Sequence, residues 1–371
     1  MNDKEKCCAR RKTSIGGQAL MEGIMMRGPE KSAMAVRRAN GEIVFEESVN
    51  KKKKRPRVCR WPVIRGVFGF VDSLVIGYKA LMRSAEIAIE DEMAEEEKKK
   101  VDAVEQEAQN APAESEASVS EETPAPTEEK PAEEKKSGFS KGAMAAIMIV
   151  ATVLGFALAI GLFIWLPSFL YNLIAEYTPA DWALGDNRYL RSVFEGILKI
   201  VVLVAYMALV SLMKDIRRTF MYHGAEHKTI FCYEKGMPLT VENVKKQSRF
   251  HPRCGTSFLI LMLLVSIVIG LFIPPTFEGI NPTLYTVIRA AIKLLLIPLT
   301  MGVGYELLKF AGKHENIVTR IISAPGMWLQ RITVKEPTDD MIECAIKAFV
   351  AVLPDDEREA EIEAQKGIEQ E

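Results

Sequence analysis

Two of the chain's four histidines stand four residues apart, in His223-Gly224-Ala225-Glu226-His227. On a helix this spacing puts both imidazoles on one face, where they can grip a single metal ion. Glu226, three residues after His223, falls on nearly the same side, placed as a general base for metal-assisted hydrolysis. The pattern is the inverted zincin motif, H-x-x-E-H, and zinc is the expected divalent ion. A third protein ligand is needed, and the spacing leaves it open among His251, Cys254 and Glu306. The simpler reading is a helix-end histidine pair satisfied by backbone or lipid phosphate. Gly224 also weighs against a firm helix, since glycine is about 1 kcal/mol worse there than alanine.

A second run, from Ile15 to Pro29, has glycines at 16, 17, 23 and 28. It lacks the Gly-Lys-Ser/Thr ending of a phosphate-cradling loop. Two readings stand for it. Either Glu22 and Arg27 reach the histidine cluster from the soluble side, or the run is a turn-rich lead into a hairpin. Arg253, in His251-Pro252-Arg253-Cys254, reads as a supporting residue or as a basic anchor at the start of an apolar block.

These residues need elements to hold them. The expected fold is membrane α-helical, with about four transmembrane helices. Four stretches approach the roughly 20 apolar residues that cross a bilayer: Ala143 to Leu173, Val193 to Met213, Ser257 to Phe272, and Leu284 to Phe310. The second carries Glu195 and Lys199, the fourth Arg289 and Lys293. Charges at such depth are expensive. Glu195 and Lys199, four apart, are placed to pair along one helix face; the alternative is a polar cavity between helices. Lysine and arginine crowd the segment from Lys214 to Gly255 and are sparse in the other loops. The charge rule therefore puts that segment and both termini on the cytosolic side of the membrane. His223, His251, Cys254 and Glu306 then share one membrane face. Trp61 to Ala85 is apolar but carries scattered charges, and reads as an interfacial or re-entrant helix.

The chain divides accordingly. Residues 1–60 form a Gly-rich module whose Asn40-Gly41 pair, between strand-like runs, signals a β-hairpin. Residues 61–89 are the amphipathic helix and 90–140 an acidic linker too polar to bury a core, hence disordered. Residues 141–313 hold the four spans with the cytosolic loop 214–256, and 314–371 a cytosolic α/β extension. That extension has a strand-like Trp328–Val334, an amphipathic helix over Asp339–Val352 and an acidic, frayed tail. The basic run Lys51–Arg57 suits anionic lipid headgroups; no aromatic interleaving accompanies it, so nucleic acid is not expected. A net charge of −1 adds no global bias toward polyanions. The six cysteines lack any CxxC pair and read as reduced cytosolic thiols. No apolar signal-peptide core is seen near the N-terminus.

GGQALMEGIMMRGP, FMYHGAEHKTIFCYE (Phe220–Glu234) and HPRCGTSF together resemble the YqhQ-like family of bacterial membrane proteins, a domain of unknown function. The resemblance runs from Ile15 to Leu353, apart from the acidic linker. It implies a metal-dependent enzyme resting on His223, Glu226 and His227, and supplies no substrate. A non-enzymatic reading stands beside it: a membrane scaffold, or a small-solute or lipid carrier, with Glu195, Lys199, Arg289 and Lys293 lining a polar path.

Overall fold

The computed structural model describes residues 13–50, 55–109, 141–177, 188–274, 281–314 and 316–369. The chain separates into two compact units. The first comprises Met1–Asp91 with Leu162–Glu371, and the second Glu92–Gly161.

The first unit opens with a four-stranded antiparallel sheet in the order β1 (Gly16–Leu20), β2 (Gly23–Arg27), β3 (Lys31–Arg37), β4 (Ile43–Val49). The Asn40-Gly41 turn joins β3 to β4, with Gly41 at φ +88°, a conformation that glycine reaches without a Cβ penalty. The Gly-rich run supplies the other two strands, in register from Gly16 opposite Arg27 to Leu20 opposite Gly23. Sequence periodicity misses them because both faces of the sheet are covered, so β2 reads as a continuous apolar run. Ile24, Met26, Ala33 and Ala35 face one core. Leu20, Met25, Met34 and Val36 face another, closed by Ile76 and Ile87 of the helix α1. That helix runs from Ile64 to Gln109. The expected disorder from residue 90 is thus corrected as far as Gln109, since a run of Glu, Lys and Ala without Pro or Gly favours helix. The rest of the linker, like Lys51–Lys54, lies outside the described residues.

The second unit holds the end of α1 and the apolar helix α2 (Lys141–Ile160). After a π-helical turn at Gly161–Trp165, the first unit resumes with α3 (Leu166–Tyr177) and α4 (Arg188–Val210). Next come α5 (Lys214–Glu234), the short α6 (Val241–Lys245) and α7 (Gly255–Gly270). The chain ends with α8 (Pro282–Leu295), α9 (Ile297–Lys313), α10 (Ile317–Thr333), α11 (Asp339–Ala351) and α12 (Asp355–Glu369).

Among the described residues two helices are long and apolar enough to cross a membrane, Ile149–Tyr177 and Tyr189–Val210. A third arises if Val287–Leu295 and Ile297–Gly312, bent by 42° at their junction, count as one. This corrects the expectation of four. Gly255–Gly270 is apolar but only 16 residues long, about 24 Å of helix against a hydrocarbon core of about 30 Å.

The regular elements in the described part of the C-terminal extension are all helices, not α/β. Trp328–Thr333, rich in strand-formers, continues α10 because Asn316 and Thr319 form a reciprocal capping box and the helix packs along α7. At that crossing Gly326 lies so close that an added Cβ would stand 2.5 Å from Ser257. The acidic tail is α12, tied down where Glu361 accepts from the Leu239 amide at 2.6 Å. Residues far apart in the chain share one core: Tyr222, Ala225 and Cys232 of α5, Met341, Ala345 and Phe349 of α11, and the inner face of the sheet.

Candidate metal centre

Helix α5 carries the motif. It is half-exposed at His223 and buried from Gly224 to Ile230 because β1 and α11 pack on it. Gly224 is a contact, not a defect: an added Cβ would stand 2.0 Å from the Lys335 carbonyl oxygen. Lys335 N donates to Phe220 O at 2.9 Å, so the segment after α10 is sewn to the start of the motif.

The end of α10 and the loop before α7 orient both imidazoles. His223 Nδ1 lies 3.2 Å from Thr333 O, and His227 Nδ1 lies 2.6 Å from Arg249 O. A carbonyl only accepts, so each Nδ1 is the protonated nitrogen and each Nε2 carries a lone pair. His223 Nε2 is 3.2 Å from Cys254 Sγ. His227, 1% exposed, has a buried Nε2 with no hydrogen-bond partner. Burial pushes its pKa below the usual imidazole range, against the opposing pull of Cys254, and favours the neutral form that binds metals.

Cys254 is the N-cap of α7; its sulfur accepts from Thr256 N at 3.4 Å, at a helix end that accommodates an anionic ligand. One ligand atom from each of His223, His227 and Cys254 lies within 4.8 Å of the others. Tetrahedral zinc would set such atoms about 3.3–3.7 Å apart. The donor set and the orphaned Nε2 therefore fit a divalent metal with two nitrogens and one sulfur.

The other expected site residues divide. Glu226 is buried, and its Oε1 accepts from Gly17 N at 2.8 Å. Burial raises its pKa, against the opposing effects of His223 and the Gly17 bond. With His227, His251, Arg253 and Cys254 it lines a cavity of about 380 Å³ bordered by the segment from Thr13 to Gly17. His251 packs against the rings of Phe231 and His227, at centroid distances of 4.6 and 5.6 Å. Its Nδ1 accepts from Arg253 N at 3.2 Å and its Nε2 stands 3.8 Å from Glu234 Oε2. It flanks the cluster without entering the three-ligand group. Arg253 pairs with Glu234 and donates to Thr13 O at 3.0 Å.

Glu306 is taken up elsewhere, since Arg65 clamps it in a two-pronged contact through Nε, at 2.6 Å, and Nη2. Glu22 sits in the β1–β2 turn and pairs with Arg218 at the surface. Arg27 ends β2 and lines a different cavity. Glu306 and Glu22 each go instead to an arginine within reach. In the bundle, Glu195 contacts Arg191, Arg289 and Lys293 directly rather than pairing with Lys199.

Sequence reasoning missed Glu234 and Gln330. Gln330, fully buried, accepts from His251 N at 2.9 Å and donates to His251 O at 2.8 Å, fixing the loop that delivers Cys254. No spacing signals such a residue; the carbonyls of Thr333 and Arg249 are likewise invisible in sequence.

Residues 61–355 match the family model described as "Protein of unknown function (DUF1385)". The chain belongs to this family. It is 32% identical over 346 residues to "Uncharacterized protein YqhQ" of Bacillus subtilis (strain 168), covering 92% of each chain. The family match takes in the motif and the Cys254 loop. No solved structure matches the chain.

Proposed function

We propose that the protein is a divalent-metal protein of the cytoplasmic membrane, with His223, His227 and Cys254 as ligands and hydrolysis as its chemistry. The observation that carries this is the buried, unpartnered Nε2 of His227, on a residue that offers a ligand atom within 4.8 Å of one from His223 and one from Cys254. A buried imidazole nitrogen without a partner is costly unless something binds it. Two nitrogen donors and one sulfur favour zinc among common divalent ions. When bound, such an ion supplies Lewis-acid polarisation.

The chain's own residues supply the rest. Glu226 is held by Gly17 N at the cavity wall and acts as general base, taking a proton from the attacking water. Thr333 and Arg249 hold the imidazoles in register. Gly17 lets the β1 backbone approach the cavity, where an added Cβ would stand 2.8 Å from Glu226. The apolar helices and the basic segment between α4 and α7 support a cytosolic membrane face, where a peptide bond or a lipid headgroup is accessible.

Metal content of the detergent-purified full chain tests this. About one equivalent of zinc in wild type, lost in His223→Ala/His227→Ala and in Cys254→Ser but kept in Glu226→Gln, is the expected pattern. Zinc-free wild type after reconstitution removes the metal reading, and full hydrolytic activity in Glu226→Gln removes the general base.

A further inference from the structure

The helical bundle holds a second polar cluster, around Glu195 of α4. Glu195 is 2% exposed and accepts from Arg191 Nε at 3.1 Å and from Ser168 Oγ at 3.2 Å. Its other oxygen meets Lys293 and, at 3.5 Å, Arg289 Nη2. Three cations thus converge on one carboxylate, and Lys199 stands one turn further along α4. Among the described residues no other carboxylate enters the cluster. Buried charges are normally matched in sign and number, and more stringently at bilayer depth.

The donors are also in excess. Arg191 is 7% exposed and Arg289 1%, yet Arg191 Nη2 and Arg289 Nε are buried without a hydrogen-bond partner. Among the described residues the remaining contacts of these guanidiniums are with neutral groups. Arg289 Nη1 donates to Tyr285 Oη at 3.0 Å and to Pro274 O at 3.3 Å. Arg191 stacks over the rings of Tyr171 and Tyr285 at 5.0 and 5.5 Å, which orients the fork without cancelling its charge.

We propose that this cluster binds an oxyanion of the phosphate type, gripped by Arg191 and Arg289, from an anionic lipid headgroup or from free phosphate. Two guanidinium forks with spare N–H groups match tetrahedral oxygens better than a lysine-only site would. The surplus positive charge repels a cation, so a cation path through the same residues is disfavoured. This site is separate from the histidine centre and does not rest on the metal reading.

The experiment follows thermal unfolding of the full chain in nanodiscs of neutral lipid. Inorganic phosphate is titrated against chloride at matched ionic strength in one arm, and phosphatidylglycerol replaces part of the neutral lipid in the other. A rise in Tm in the phosphate arm assigns free phosphate, and a rise confined to the phosphatidylglycerol arm assigns a headgroup. In either case Arg191→Gln should remove the response. Lys199→Met, which leaves the carboxylate's direct partners in place, should weaken it at least several-fold and serves if Arg191→Gln does not fold. No rise in either arm, or a rise that the folded variants retain in full, overturns the proposal.

Discussion

Replacing Gly224 by alanine sets two effects of opposite sign against each other. Helix propensity alone predicts stabilisation, by about 1 kcal/mol for an interior position. The tertiary contact predicts the reverse. The new Cβ would lie 2.0 Å from Lys335 O and 3.3 Å from Pro337 Cδ. An ordinary carbon–oxygen contact is about 3.3–3.6 Å, so the chain after α10 must retreat by more than about 1 Å. The obstacle is backbone, fixed by the Lys335 N to Phe220 O bond, and it has no rotamer to escape into. Overpacking of this kind costs about 1–3 kcal/mol. With a backbone obstacle the upper end applies, leaving a net loss of about 2 kcal/mol after the propensity gain. Tm should fall by several degrees in detergent-solubilised protein. Thr333 O, two residues before Lys335, moves with the segment and loosens its hold on His223 Nδ1. Zinc affinity, measured by competition with a chelator, should then drop about 10–100-fold, as when an outer partner of a ligand is lost. A variant as stable as wild type or more so, with unchanged zinc affinity, would refute both the close approach and the anchoring role of Thr333.

Three further outcomes follow from the same geometry. Glu306→Gln should leave zinc content unchanged, because that carboxylate is clamped by Arg65; loss of metal would return it to the ligand set. Burial would raise the Glu234 pKa, but the nearby His251 ring and the hydrogen bonds from Arg253 and the Thr13 amide outweigh it, and the net shift is downward. A carboxylate depressed in the folded state contributes stability above its unfolded pKa, near 4.5, and loses it as pH falls through the folded value. Glu234→Gln should therefore lower Tm at neutral pH and flatten the decline of Tm between pH 5 and pH 3 (roughly the carboxylate range); a parallel decline in both proteins would contradict this. Gln330→Leu should strand the His251 backbone groups and release the Cys254 loop. Faster alkylation of Cys254, read by peptide mass spectrometry, is expected, and an unchanged rate would show that the loop holds itself.

The sequence by itself determined the elements whose signals are local. The spacing of His223 and His227 placed two imidazoles on one helical face, because 3.6 residues per turn is a property of the backbone. Asn40-Gly41 marked its hairpin because only a few residues accept that turn. The apolar lengths near residues 149–177 and 189–210 were legible as composition. Only the tertiary structure decided which side chains meet. It chose Cys254 over Glu306 as the neighbour of His223, since Arg65 is an opposite charge within reach of Glu306. It turned the Gly-rich run into strands whose two covered faces erase the alternation that reveals a strand. It made Trp328–Thr333 helical by packing and capping against local preference. Gly224 shows the distinction in one residue: in the sequence it weakens a helix, and in the fold it is the space that the backbone at Lys335 requires.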